Sequence, residues 1–214
     1  MNGLKPIKIP SAKEKVAAEL RKAILSRKMK EGESLSLDSV ATQLNVSITP
    51  VREAFQILAR DGLIKLRPNK GAIVLGINDT YIQEHYQLRA ILESACAELA
   101  AAEGVDISGI REAYENSKES LQKGDYSNYA SQNREFHSEI WEAAGNQKMA
   151  NMIAELWNGL SMGNMVTEQE YAKISIEEHG KIMDAIAAGD AVRAKQEMYA
   201  HIMRSRDDML TYYQ

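Results

Sequence analysis

The sequence predicts a mainly α-helical protein of two parts: an N-terminal winged helix-turn-helix and a C-terminal antiparallel all-α bundle of six helices. Before residue 76, three helix-type segments precede two short β-prone runs around a Pro/Asn/Gly turn. After it, apolar residues recur at helical spacing, with no strand-type alternation of useful length. The charge divides at the same point, with a net of +7 over residues 1–76 and −11 over residues 77–214. We therefore predict a DNA-binding domain over 1–76 and an all-α domain over 77–214.

The elements of the first domain follow from periodicity and from turn residues. Val16, Leu20 and Ile24 recur every four positions and predict one buried helix face. Gly62 ends the third helix, and the turn at 67–71 joins two strands into a hairpin. The predicted helices run over about 13–27, over 37–44 and from the turn at 45–46 to about 61, and the strands over 63–66 and 72–75.

The second domain consists of six predicted helices separated by glycine-containing or polar breaks. Helical spacing is plain in the series Leu88, Ile91, Leu92, Ala95 and Leu99. Six helices of this size predict an antiparallel bundle. The predicted helices lie near 79–103, 107–123, 127–144, 147–164, 168–188 and 190–212.

Composition excludes several classes of protein. Apolar residues make up 44% of the chain, and none of its stretches approaches the roughly 18 consecutive apolar residues of a membrane span. The first 15 residues lack the apolar core of a signal peptide. The single cysteine, Cys96, excludes an intrachain disulfide. We expect a cytoplasmic protein that does not contact a membrane.

The segment from Val46 to Ala54 carries the clearest sign of DNA recognition. Ser47 or Thr49 can cap a helix, and Pro50 is tolerated in a first helical turn. Arg52 then lies near the exposed start of the helix, which is the end that enters the major groove in helix-turn-helix proteins. An arginine there can pair with guanine or with phosphate. By itself, the segment also fits an ordinary capped surface helix.

The run "EGESLSLDSVATQLNVSITPVREAFQILARDGLIKLRPNKGAIV" resembles the GntR family of bacterial transcription regulators. The "TPVREA" element, "L..DGLI" and the "P.KGA.V" wing follow the order and spacing of that family over about residues 11–76. The resemblance implies that Ser47, Thr49 and Arg52 contact DNA from the recognition helix. It also implies that Lys70 and Gly71 approach the minor groove from the wing. Ile48 stands where the family often has arginine, so we expect it to touch a thymine methyl or to pack.

Three of the four histidines have spacings that can bring them together. His137 lies four residues after Asn133, hence on one helix face with it. His179 and His201 lie 10 and 11 residues from the turn at 189–190, so an antiparallel hairpin places them at the same height. Three imidazoles and an oxygen donor suit a divalent ion such as Zn²⁺ or Ni²⁺. Unlinked histidines remain the alternative at this point.

Residues from about 79 to 212 resemble the FCD ligand-binding domain of the FadR branch of the GntR family, in its six-helix VanR-like form. Four segments carry this resemblance: "NREFHSEI", "EAAGNQKM", "EEHGKIMDAIAAGDAVRA" and "MYAHIM". Many FCD domains bind a metal through an aspartate and three histidines. The resemblance implies the ligands Asn133, His137, His179 and His201. Asn133 replaces the aspartate with a neutral, weaker donor, so a metal-free pocket is the alternative.

Arg89 and Glu93 lie four apart on the first bundle helix and form either a simple ion pair or an effector contact through Arg89. The site residues and the resemblance together lead us to expect a homodimeric regulator that binds an inverted-repeat operator. By family tendency it is a repressor. We expect its effector to be a small organic acid that binds beside the metal. The alternatives are a regulator whose effector is the metal itself and a metalloenzyme. We see no nucleophile–base motif and expect no enzyme.

Overall fold

We describe residues 11–68, 70–125, 127–157 and 169–213 of a computed structural model. The chain divides into two compact units, one ending at Asn78 and the other beginning at Asp79. The first unit contains three helices and three short strands, in the order α1, β1, α2, α3, β2, β3. Their bounds are α1 Ala12–Leu25, β1 Ser34–Leu35, α2 Leu37–Leu44, α3 Ile48–Arg60, β2 Ile64–Arg67 and β3 Gly71–Val74.

The strands form one antiparallel sheet in the order β1-β3-β2. Ile64 pairs with Val74 and Arg67 with Gly71, which gives the predicted hairpin. The strand β1, in which Ser34 pairs with Ile73, was not predicted. A two-residue strand is too short to show alternation, so its pattern in the sequence is that of a loop.

Local signals fix the helix-turn-helix. Ser36 caps α2 by accepting a hydrogen bond from the Ser39 backbone amide at 3.1 Å. Asn45 ends α2 in the left-handed conformation, which asparagine adopts more readily than most residues. The core beneath it joins the apolar faces of α1, α3 and the hairpin: Val16, Leu20, Ile24, Val51, Phe55, Leu58, Leu63, Ile64 and Val74.

The second strand of the wing, β3, begins at Gly71, a position that only glycine suits. Its φ of +82° lies in the left-handed region, and a Cβ would overlap the Leu35 carbonyl oxygen of β1. We expect Gly71→Ala to lower the free energy of unfolding by more than ~1–2 kcal/mol, the cost of a left-handed backbone alone. Gly32→Ala is the matched control, because Gly32 has a φ of +81° and open space around it. Equal losses for the two variants in urea titrations would contradict this reading of the β1 contact.

The second unit contains six helices within its described residues. They are α4 Asp79–Ala100, α5 Ser108–Gln122, α6 Tyr129–Ala143, α7 Gln147–Trp157, α8 Gln169–Ala187 and α9 Ala191–Tyr213. The predicted bounds agree to within three residues, except that the end of the helix predicted over 147–164 lies outside the described residues. The mainly helical fold is confirmed.

The helix α4 buries two charged side chains toward the bundle, Arg89 and Glu93, beside apolar ones such as Ile82 and Tyr86. Three of its large apolar side chains point outward instead: Leu88, Ile91 and Leu99 are 41%, 53% and 43% exposed. The apolar spacing correctly indicated a helix, but it marks the face turned away from the core of this unit.

Candidate DNA interface and metal centre

The described part of the first unit exposes the predicted DNA-contacting residues at the start of α3. Ser47 is the N-cap residue, and its side chain makes no capping hydrogen bond. Thr49 and Arg52 are exposed in the first turns of the helix, and Ile48 is 39% exposed. These side chains are therefore accessible to a groove of DNA, as a recognition helix requires.

The wing carries exposed cationic side chains. Lys70 is exposed, and its backbone amide donates to the Arg67 carbonyl at 3.1 Å, closing the turn of the hairpin. Arg67 and Lys65 on β2 are also exposed. Gly71 serves to place β3 against β1. The turn residue Asn69 lies outside the described residues.

In the second unit the structure brings His137, His179 and His201 together from α6, α8 and α9. One potential ligand atom of each lies within 4.8 Å of those of the other two. The Nε2 atoms of His137 and His201 are 3.2 Å apart, and all three side chains are buried. Ligand nitrogens of one tetrahedral zinc ion are roughly 3.3 Å apart, given Zn–N distances of about 2.0–2.1 Å.

Two buried carboxylates orient two of these imidazoles. Nδ1 of His137 lies 2.6 Å from Oε2 of Glu93, and Nδ1 of His201 lies 2.7 Å from Oε2 of Glu178. Each Nδ1 is thus placed to donate its proton to a carboxylate, and the Nε2 atoms of the two rings face each other. This carboxylate–histidine arrangement is the one that surrounds metal-ligating histidines.

Without a bound cation, the cluster leaves buried ring nitrogens without hydrogen-bond partners among the described residues. The Nε2 atoms of His137 and His201 face each other across 3.2 Å, and His179 is fully buried with no hydrogen-bond partner for either ring nitrogen within the described residues. An unpaired buried polar atom costs free energy, which a bound cation would recover here. The donor set thus fits a divalent metal ion.

His179 and His201 are neutral at neutral pH without any metal, because their pKa values are lowered. Burial lowers the pKa of His201 to about 4, even though its hydrogen bond to Glu178 raises it. Burial and the neighbouring histidines hold the pKa of His179 well below its usual value. Glu93 stays ionised: burial raises its pKa, but Arg89 and His137 outweigh that effect and bring it to about 2. At neutral pH the two histidines need not lose protons before binding a cation.

The two remaining predicted site residues lie beside this cluster. Asn133 is buried one turn before His137, and its Oδ1 accepts a hydrogen bond from the Tyr129 hydroxyl at 3.4 Å. Arg89 is 2% exposed, bonds Glu93 Oε1 through Nε and Nη2 at 2.8 Å, and stacks on Trp157. The predicted ion pair between Arg89 and Glu93 is present, so a ligand carboxylate at Arg89 would have to compete with Glu93.

Sequence reasoning missed the carboxylates that orient the histidines. Glu178 stands next to His179 in the chain but bonds His201 on the neighbouring helix. Glu93 was considered only as the partner of Arg89. Its contact with His137 crosses from α4 to α6 and has no signal in local spacing.

Comparison with known families identifies both units. Residues 12–74 match "Bacterial regulatory proteins, gntR family", and residues 84–204 match the FCD domain. The chain belongs to the GntR family and carries an FCD domain. It is a DNA-binding transcription regulator, and its family and relatives are regulators rather than enzymes, which removes the metalloenzyme alternative.

Curated relatives include named repressors. The probable D-xylose utilization operon transcriptional repressor of Paenarthrobacter nicotinovorans is 31% identical over 76% of this chain and 73% of its own length. The gluconate operon transcriptional repressor of Bacillus licheniformis is 31% identical over 68% of this chain. The chain spans 59% of the length of that second relative.

Solved structures agree with the fold. McbR/YncC of E. coli has a TM-score of 0.70 at 22% identity, over 96% of this chain and all of the other. A GntR regulator from Rhodococcus sp. RHA1 has a TM-score of 0.66 at 27% identity, over the same shares. No helix among the described residues is both long and apolar enough to cross a membrane.

Proposed function

We propose that this regulator is a repressor whose affinity for operator DNA is controlled by a small carboxylate effector bound beside a divalent metal in the FCD domain. The observation that carries the proposal is the three-histidine cluster, with two imidazoles fixed by carboxylates and the third unpaired. His137, His179 and His201 would hold the ion, with Asn133 as the oxygen donor. Zn²⁺ and Ni²⁺ both suit imidazole ligands, and either would supply a positive centre for an anion.

The charge of the site supports an anionic effector. The three imidazoles and Asn133 would be neutral ligands, and each carboxylate that orients an imidazole pairs with an arginine, Glu93 with Arg89 and Glu178 with Arg204. A divalent ion would therefore bring positive charge that these groups do not neutralise. A carboxylate is the common small organic anion that can bind at an open metal position. The name of one relative, a gluconate operon transcriptional repressor, agrees with a sugar-derived acid.

The test of the whole proposal uses DNA selected by the protein itself. Purified protein selects operators from a random-sequence duplex pool, and binding is then measured with the metal-loaded and the chelator-treated protein, each with and without sugar acids. We expect a sugar acid to release DNA from the metal-loaded protein only. If metal alone released the DNA, and no acid increased that release, the result would favour a regulator whose effector is the metal itself. DNA binding that neither metal nor acid changes would overturn the proposal.

A homodimer is the second part of the proposal. A single winged helix contacts few bases, and twofold symmetry doubles the contacts, so the selected DNA should contain an inverted repeat. The outward stripe of α4, formed by Leu88, Ile91 and Leu99, supports self-association through the FCD domain.

We expect Ile91→Glu to convert the dimer to monomer, because it places a carboxylate in the middle of an apolar interface. Light scattering measures the mass, and circular dichroism checks that the helices persist. Ile174→Glu is the matched control, because Ile174 is 47% exposed on α8 and lies outside the stripe. A dimer that survives in Ile91→Glu but not in Ile174→Glu would assign the interface to a different face.

A further inference from the structure

Among the three clustered histidines, His179 is held differently from the other two. His137 and His201 each bond a carboxylate through Nδ1. Neither ring nitrogen of His179 has a hydrogen-bond partner within the described residues. An imidazole that binds a metal must still be kept in one orientation, because a loosely held ligand lowers metal affinity. A contact other than a hydrogen bond must therefore orient the His179 ring.

The face of the His179 ring packs on Phe136 of α6. The two ring centroids are 4.2 Å apart and the ring planes differ by 20°, so the rings are stacked. Both side chains are fully buried. Stacking of this kind stabilises an aromatic pair beyond the burial of its area. Because the contact is made through the ring face, it fixes the plane of the imidazole and leaves the nitrogens, which lie on the ring edge, available to a cation.

Tyr114 on α5 connects this stack to the backbone of α8. Its ring centroid lies 6.4 Å from that of Phe136, within the range of aromatic pairs. Its hydroxyl lies beside Gly180, the residue that follows His179. A Cβ on Gly180 would be 2.8 Å from the Tyr114 hydroxyl oxygen, well inside ordinary van der Waals contact. Tyr114 therefore packs both against Phe136 and against the backbone next to His179.

Gly180 lies in the interior of α8, where glycine is less favourable than alanine. Its φ is not positive, so its backbone conformation does not require glycine. The requirement is for space, because the Tyr114 hydroxyl occupies the volume that a Cβ would fill. The contact with Tyr114 thus accounts for a residue that weakens the helix beside a buried histidine.

We propose that Phe136 and Tyr114 position the His179 imidazole for metal binding, in the role that carboxylates have at the other two histidines. This inference rests on the proposed function, because it takes His179 to be a metal ligand. Phe136 fixes the plane of the ring. Tyr114 supports Phe136 and fixes the helix backbone beside the ligand. Both residues act through His179, so they are positioning residues rather than ligands.

The first test compares Phe136→Leu with Phe55→Leu, which change the two phenylalanines of the chain. Phe55 is also fully buried, but in the first unit, so its replacement costs core packing there. Nickel affinity is measured on the full-length protein by quenching of tryptophan fluorescence, and circular dichroism checks the helices. We expect Phe136→Leu to weaken nickel binding by about 10- to 100-fold, the usual loss for a residue that orients a metal ligand. Phe55→Leu should leave nickel affinity unchanged.

The second test uses Gly180→Ala and its rescue. The added methyl group forces Tyr114 or α8 to shift, so we expect nickel binding about 10-fold weaker, the lower end of the same range. Tyr114→Phe removes the hydroxyl that the methyl would meet and leaves Cζ of the ring 3.4 Å from it. The double variant Gly180→Ala/Tyr114→Phe should therefore recover the affinity of the wild type, and Tyr114→Phe alone should not change it.

Each positioning residue can be refuted separately. Undiminished nickel affinity in folded Phe136→Leu would overturn the role of Phe136. For Tyr114, the contradicting results are no effect of Gly180→Ala, or an effect that persists when Tyr114→Phe is added. If Phe136→Leu does not fold, Phe136→Met takes its place, because methionine is apolar and adaptable but offers no ring face.

The metal-free protein separates this proposal from the metal itself. Protons above the face of an aromatic ring resonate upfield, so the ring protons of His179 should move downfield in Phe136→Leu. Their signals are identified by their loss in His179→Ala. Wild-type protein that binds no nickel would refute the metal in the proposed function, whereas the downfield shift would still support the hold of Phe136 on the ring. Unshifted protons in Phe136→Leu would overturn the stack whether or not nickel binds.

Discussion

Replacing Arg52 by alanine should weaken operator binding by about 1–3 kcal/mol, or roughly 5- to 150-fold, while the protein remains folded. Arg52 is exposed in the second turn of α3, the helix that the GntR match identifies as the recognition helix. An arginine there can donate two hydrogen bonds to guanine or pair with phosphate. Alanine removes those donors while retaining helix propensity.

The control for Arg52→Ala is Arg60→Ala, an exposed arginine in the last turn of the same helix. Both variants remove one positive charge, so a difference between them reports position rather than net charge. Mobility shifts on the selected operator and on an unrelated duplex separate specific from non-specific binding. Equal affinities for the wild type and Arg52→Ala would refute the assignment of Arg52.

Replacing His179 by alanine should weaken metal binding by more than 100-fold. Loss of a group that merely orients a ligand costs about 10- to 100-fold, so loss of a ligand should cost more. The two tryptophans of the protein provide the readout, because the Trp157 ring lies 4.8 Å from His137 and 5.5 Å from Trp141. Nickel in the site should quench their fluorescence.

Two further variants check the His179 result. His85→Gln changes the histidine outside the cluster and should leave nickel affinity unchanged. Asn133→Asp should act in the opposite direction to His179→Ala and tighten binding, because it adds a negative charge beside the ion. Unchanged nickel affinity in His179→Ala, with helicity intact, would show that the metal binds elsewhere.

Much of the cluster was predictable because, in two antiparallel helices joined by a short turn, residues equally distant from the turn lie at the same height. His179 and His201 lie at nearly equal distances from the turn at 189–190, so the antiparallel pair α8 and α9 brings them together. For helices that are not consecutive in the chain, spacing in the sequence does not indicate which residues lie at the same height. The bond between Glu93 and His137 depends on how whole helices pack and therefore required the structure.

The outward direction of the α4 stripe could not be predicted either. Leu88 and Ile91 have the spacing of a core face, yet the bundle packs against the side that carries Arg89 and Glu93. Apolar periodicity locates a buried face without saying what buries it, and a partner subunit satisfies the same pattern as a core. The inward side carries Arg89 and Glu93 among small and apolar residues, and Glu93 contacts the histidine cluster there.

Anomalous diffraction from crystals grown with nickel tests the central claim most directly. We predict one anomalous peak per chain at the nickel edge, within bonding distance of about 2.0–2.2 Å from a nitrogen of His137, His179 and His201. An ordered anion beside the peak would locate the effector. Crystals that contain nickel only at surface sites, with water among three separate imidazoles, would contradict the account.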